Sequence, residues 1–232
     1  MSKTKTNKVL VVDDDTDILE LLQYNLEKEG YNVKTANTGQ KAVDIASLFL
    51  PNLILLDIMM PGMDGVETCR ILRENQDLVE THILFLTARS EEYSEVAAFD
   101  AGADDYITKP IKPRALLSRI GAILRRETKK TSKDSKKIEI GSLMIDKQSY
   151  TVTIDQLAIV LPKKEFELLH FLAQNPNKVF NRDELLQNIW GTDVYVLART
   201  VDVHIRKIRE KIGEDFIKTV KGVGYKFDPT LN

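Results

Sequence analysis

The chain has 232 residues, of which 43% are hydrophobic and 29% charged, with a net charge of −2, one cysteine and three histidines. That length suits two modest domains better than one, and the composition is that of an ordinary soluble globular protein. A lone Cys69 excludes an intramolecular disulfide and a cysteine-rich zinc site, and the scattered histidines offer no ligand spacing. The opening MSKTKTNK lacks the apolar stretch of a signal peptide, and no apolar run is long enough to span a bilayer, so a cytoplasmic protein with no membrane partner is expected.

Charge is unevenly divided. Residues 1–124, 125–137 and 138–232 carry net charges of −7, +5 and 0, which predicts an acidic unit, a basic connector and a neutral unit with different partners. The connector, RRETKKTSKDSKK, has no apolar residue and reads as a flexible solvated linker.

In the acidic unit, VLVV, YNVKTA, LILLD, HILFLT and ADDYIT are strand candidates. They alternate with helical spacing beginning near Asp15, Thr38, Asp64, Glu91 and Lys112. Five strands alternating with five helices imply a doubly wound, flavodoxin-like parallel sheet covered on both faces. Ligands of such sheets gather outside the carboxyl ends of the strands. Those ends carry Asp13 and Asp14, then Asp57, Thr87 and Lys109. Three carboxylates, a hydroxyl and an ammonium converging there suit a hard divalent cation such as Mg²⁺, an aspartate nucleophile toward phosphorus, and two contacts to phosphoryl oxygens.

Other readings of the aspartates are weaker or local. Asp15 is the natural N-cap of the first helix. The spacing Asp13, Asp15, Asp17 resembles an EF-hand opening, but Ile18 and Tyr24 stand where glycine and glutamate are required. An aspartate-x-aspartate start also resembles haloacid-dehalogenase-like phosphatases.

Taken together, VLVVDDD at 9–15, LILLDIMMPGMDG at 53–65, LTA at 86–88 and GADDYITKP at 102–110 resemble the receiver domain of two-component response regulators. The resemblance implies that Asp57 accepts phosphate from a sensor histidine kinase, and that Asp13, Asp14, Asp57 and the carbonyl of Met59 surround Mg²⁺. It further implies that Thr87 and Tyr106 move on phosphorylation and that Lys109–Pro110 is a cis peptide. It places a dimer face on the fourth helix, fifth strand and fifth helix, where Asp104, Asp105, Arg119 and Arg126 match charges that pair across it. The chain departs from that pattern at Glu95, Ala115 and Gly121, which weakens the expected dimer.

In the neutral unit, IEIGSLMID, YTVTI and AIVLP read as strands of a small antiparallel sheet. Helical patterns follow over Lys163 to Gln174, Arg182 to Trp190, and Ala198 to Ile212. In the last, Val201, Ile205, Ile208 and Ile212 share one face, while Arg206, Lys207, Arg209 and Lys211 lie off it. FIKTVKGVGYKF at 216–227 predicts a hairpin with Lys221 at its tip. A cationic last helix followed by a basic hairpin is a winged helix-turn-helix arrangement suited to duplex DNA.

KKEFELL at 163–169, RTVDVHIRKIREKIG at 199–213 and TVKGVGYKF at 219–227 resemble the effector domain of OmpR/PhoB-type transcription factors. By position, the resemblance implies phosphate grips at Arg199, Thr200 and His204, groove-facing Asp202, Arg206, Lys207 and Arg209, and wing contacts at Thr219, Lys221 and Tyr225. Trp190 reads as core or as a backbone contact. Lysine at 207 and 221, where relatives often have arginine, gives a point charge without a bidentate fork. GTDVYVLA at 191–198 is a candidate contact for RNA polymerase. The expectation is a non-enzymatic transcription regulator that dimerises on phosphorylation; the alternative is a constitutive DNA binder whose first half is an interaction module.

Overall fold

The computed structural model describes residues 6–88, 101–129, 137–191 and 199–230. The chain divides into two compact units, Met1–Ser132 and Lys133–Asn232. Among the described residues, no helix is long and apolar enough to cross a membrane.

The first unit contains β1 (Lys8–Val12), α1 (Thr16–Lys28), β2 (Asn32–Ala36), α2 (Gly39–Phe49), β3 (Leu53–Asp57), α3 (Gly65–Glu74), β4 (His82–Ala88), β5 (Asp105–Lys109) and α4 (Pro113–Lys129). All pairings are parallel in the order β2-β1-β3-β4-β5. Val9, Val11, Leu53, Leu55, Leu84 and Leu86 cluster with Leu19, Leu22 and Leu26 of α1 and Leu116, Ile120 and Leu124 of α4. Alternate strand residues such as Leu10, Ile54 and Phe85 are equally buried, so the central strands β1, β3 and β4 have no solvated face. Each buried leucine contributes about 1.5–3 kcal/mol.

The helix starts follow their caps. Asp15 accepts from Asp17 N and Ile18 N, Thr38 from Lys41 N, and Asp64 from Glu67 N, each satisfying an orphan amide of a first turn. The helix expected near Glu91 lies outside the described residues. At the other end of the unit, α4 runs to Lys129, so the expected linker start at residue 125 is corrected. Arg125, Arg126, Glu127 and Lys129 are helix formers, and a run of charge does not by itself end a helix.

The second unit contains β6 (Ile138–Ile140), β7 (Leu143–Asp146), β8 (Thr151–Ile154), β9 (Leu157–Ile159), α5 (Lys163–Ala173), β10 (Phe180–Asn181), α6 (Arg182–Ile189), α7 (Arg199–Ile212), β11 (Ile217–Val220) and β12 (Gly224–Phe227). The segment read as one strand, IEIGSLMID, is a hairpin folded at Gly141, whose φ of 58° suits a two-residue turn. The sheet therefore has four antiparallel strands, β6-β7-β8-β9. A second sheet, β10-β12-β11, holds the predicted hairpin and a two-residue strand too short to show in the sequence. Val201, Ile205, Ile208 and Ile212 of α7 join Phe166, Leu169, Leu172, Leu185 and Trp190 in one core. The α6 helix opens with a capping box in which Asn181 and Glu184 satisfy each other's backbone amides.

Candidate functional site

Strand register brings the acidic residues together. Val12 lies opposite Leu56, so Asp13, the next residue after β1, falls beside Asp57 at the end of β3. Asp57 faces Leu86, placing Thr87 one step further along β4, and Thr87 pairs with Thr108, next to Lys109 on β5. Ligand oxygens of Asp13, Asp14 and Asp57 lie within 4.8 Å of one another. Lys109 Nζ is 2.8 Å from Asp13 Oδ2 and 3.0 Å from Asp57 Oδ1. Asp13 is wholly buried, Asp57 and Thr87 are buried, and Asp14 is exposed. The Lys109–Pro110 peptide is cis.

The charges do not balance: three carboxylates face one ammonium. Burial pushes the Asp57 carboxyl above the ordinary carboxylate range, Lys109 opposes this, and Asp13 and Asp14 add to the rise. Burial alone would lower Lys109, but hydrogen bonds to Asp13 and Asp57 outweigh it and leave the ammonium favoured. An all-oxygen acidic cluster short of positive charge fits a hard divalent cation. Met59 follows in the loop after β3 with its side chain exposed, so any part it takes falls to its backbone.

Gly65 is a close-packed position beside the pocket that motif reading undervalued. A Cβ there would lie 2.1 Å from Asp57 O and 2.8 Å from Ile58 Cα, while its own amide donates to Ile58 O at 2.9 Å. The start of α3 is thus pressed directly against the backbone that carries Asp57.

The expected dimer charges are differently employed. Asp104 is 1% exposed; its Oδ2 accepts from Arg73 Nη2 at 2.7 Å and from Ile83 N at 2.8 Å, with His82 Nδ1 at 3.8 Å. Its assignment to an interface is corrected: a side chain with no surface holds the foot of β5 to β4 and α3. Arg73 completes that knot by donating to Gly102 O, Leu78 O and Thr81 O. Asp105 Oδ2 accepts from Arg119 Nε at 3.0 Å and Nη2 at 2.5 Å, closing within the chain a pair expected to bridge two chains. The side chain of Arg126 and the whole of Glu95 lie outside the described residues. Tyr106 is buried, opposite Phe85.

In the second unit α6 and α7 form the helix pair and β11-β12 the hairpin, with Lys221 exposed at its tip. Arg199 and Arg206 are exposed on α7, and Lys207 is half-buried. Two expected phosphate grips are corrected for this chain: Thr200 and His204 are 2% and 3% exposed. His204 Nδ1 bonds Thr200 O at 2.9 Å and its ring meets Trp190 edge-on at 5.0 Å, so both side chains serve the core, as does Trp190. Lys211 turns back to the buried Glu165, 2.7 Å away. Arg209 is a brace, its Nε and Nη2 donating to Ile217 O and its Nη2 also to Thr219 Oγ1 at 2.8 Å. Asp202 and Tyr225, expected toward DNA, bond each other at 2.6 Å. Most of the candidate RNA polymerase contact, residues 192–198, lies outside the described residues.

An acidic pocket with one lysine at the carboxyl ends of a doubly wound sheet, followed by a winged helix with a cationic helix and hairpin, defines a two-component response regulator that acts as a transcription factor. Residues 9–121 match the family model for the response regulator receiver domain, and residues 155–227 that for the C-terminal domain of transcriptional regulatory proteins. The chain is 41% identical over 239 residues to the transcriptional regulatory protein ResD of Bacillus subtilis, covering 98% of each. It is 39% identical to the response regulator DrrB of Thermotoga maritima, an OmpR/PhoB homolog, over 97% of this chain and 100% of that one, with a TM-score of 0.48. A RitR mutant superimposes with a TM-score of 0.78 at 28% identity, covering 96% and 99% of the two chains. The chain belongs to the OmpR/PhoB-type response regulators of two-component systems and is a transcription factor.

Proposed function

We propose that Asp57 is the phosphoryl acceptor, that a sensor histidine kinase is its donor, and that acceptance controls binding of duplex DNA by a dimer. The observation that carries the reading is the convergence of Asp13, Asp14, Asp57 and Lys109 at the carboxyl ends of β1, β3 and β5, with Thr87 adjacent in register. Asp13, Asp14, Asp57 and the Met59 carbonyl would hold Mg²⁺, which when bound supplies positive charge beside the phosphoryl oxygens. A carboxylate oxygen of Asp57 attacks phosphorus; the new O–P bond forms as the bond to the donor breaks, and the donor leaves with its electron pair. Lys109, already 3.0 Å from Asp57, follows the added charge, and Thr87 donates to a phosphoryl oxygen.

Repositioning of Thr87 and Tyr106 would then shift the receiver toward a dimer-competent population. The proposed face is that of the expected fourth helix, β5 and α4, which is the expected fifth helix, and the Asp105–Arg119 pair must exchange partners to contribute to it. Two effector units would read adjacent half-sites and gain avidity. Arg199, Arg206, Lys207 and Lys221 are the proposed DNA contacts. Contact with RNA polymerase, action in the cytoplasm and the absence of turnover chemistry belong to the same proposal.

The test is DNA binding by the full chain with and without Mg²⁺ and a small acyl phosphate. Phosphorylated wild type should dimerise in sedimentation and bind more tightly, Asp57→Asn should do neither, and Arg206→Ala should lose affinity with a shallower salt dependence. Equal binding by wild type and Asp57→Asn under both conditions would favour the constitutive binder.

A further inference from the structure

Around the start of α7, one carboxylate oxygen organises three elements. Asp202 Oδ1 accepts from Arg182 Nε on α6 at 2.7 Å and from the Tyr225 hydroxyl on β12 at 2.6 Å, while Arg182 Nη2 lies 3.4 Å from that hydroxyl. The Tyr225 ring has the Arg182 guanidinium 5.2 Å from its centroid and the Arg209 guanidinium at 5.7 Å. Arg209 in turn grips Ile217 O and Thr219 on β11. Burial pushes the Tyr225 phenol above its ordinary value and the Asp202 contact adds to this, so the hydroxyl remains a donor at neutral pH.

Asp202 is an acid in the first turn of the helix that carries the exposed Arg199 and Arg206. Its charge suits the helix dipole but opposes a polyanion. The tyrosine donates a hydrogen bond without a charge, leaving Arg182 as the cation paired with this carboxylate among the described contacts. We propose that Arg182 is a positioning residue for DNA binding: it neutralises Asp202 and locks α6, α7 and the hairpin into one pre-organised surface. The inference rests on this surface being the DNA-binding one. Pre-organisation spares the chain the cost of ordering the hairpin as it docks.

The experiment titrates the full chain with a mixed-sequence duplex of about 40 base pairs, long enough for two half-sites, across a range of salt. Arg182→Gln should weaken binding by about three- to tenfold, a range set by a partly exposed ion pair and one phosphate-repelling charge. Arg182→Lys should recover part of the loss. Arg182→Gln with Asp202→Asn should return to within about twofold of wild type at an unchanged salt slope, because asparagine still accepts from Tyr225 and no longer repels phosphate. Fluorescence of Trp190, the only tryptophan, reports whether each effector unit is folded. Wild-type affinity in Arg182→Gln overturns the proposal. So does a double variant no better than Arg182→Gln with a slope shallower by about one, which would make Arg182 a direct phosphate contact. No binding by wild type overturns the underlying reading and the inference with it.

Discussion

Replacing Gly65 with alanine perturbs the backbone of Asp57, the proposed acceptor, without touching a charged group. Its φ is not positive, so backbone conformation is not what requires glycine here; space is. The added Cβ would stand 2.1 Å from Asp57 O, 2.8 Å from Ile58 Cα and 2.9 Å from Asp57 C, where ordinary contact begins at 3.4 Å. All three neighbours are backbone and cannot rotate away. Relief requires α3 and the end of β3 to part by about an ångström, weakening the bond from Gly65 N to Ile58 O and displacing the Asp57 peptide. Overpacking and the lost hydrogen bond together cost about 2–4 kcal/mol. Gly62→Ala is the control: nothing lies within 4 Å of its Cβ, and only its φ of +79° is penalised, by about 1–2 kcal/mol. Urea unfolding of the full chain by circular dichroism, with the receiver transition identified by its response to Mg²⁺, measures both. An ångström of displacement at a reacting group costs on the order of a hundredfold in rate, so phosphoryl gain by Gly65→Ala should slow to that extent. Unfolding no earlier than Gly62→Ala, with wild-type phosphoryl gain, would refute the argument that close backbone approach positions Asp57.

The acidic pocket makes its own predictions. Mg²⁺ at ten times its dissociation constant should stabilise the receiver transition by about 1.4 kcal/mol, and Asp13→Asn should abolish that gain in the same melts. Lys109→Ala should destabilise the metal-free receiver by about 1–3 kcal/mol, because the buried Asp13 loses its ammonium. Because the folded pKa of Asp57 is raised, its contribution to stability is fullest in acid and is lost as pH rises through the folded value. Asp57→Asn should therefore be more stable than wild type at neutral pH without Mg²⁺. Arg73→Ala should lower receiver stability by about 3–5 kcal/mol, since it leaves a buried carboxylate without its cation and removes a donor from three carbonyls. Normal stability with impaired dimerisation would instead return Asp104 to the interface.

Local signals were legible in the sequence. Apolar runs ending in Asp57 or preceding Asp13 predicted strands and placed their carboxyl ends, while Asp15, Thr38 and Asp64 cap the helices expected to begin near them. The face of α7 bearing Val201, Ile205, Ile208 and Ile212 followed from helical spacing. What failed depended on partners outside the residue's own element. Nothing near Asp104 announces Arg73, which is 31 residues away, and nothing near Arg209 announces the carbonyl of Ile217. Thr200 and His204 read as polar groups on a cationic helix, yet Trp190 and the core claim them. The Gly141 hairpin was a different miss, because its turn signal was present but lay within a continuous apolar pattern.

The central claim is that Asp57 takes a phosphoryl group in the pocket formed with Asp13, Asp14 and Lys109. Its most direct test is the intact mass of wild type and Asp57→Asn after incubation with Mg²⁺ and a small acyl phosphate. The account predicts the gain of one phosphoryl group by wild type alone, lost when Mg²⁺ is chelated. No gain by folded wild type, or an equal gain by Asp57→Asn, would contradict it.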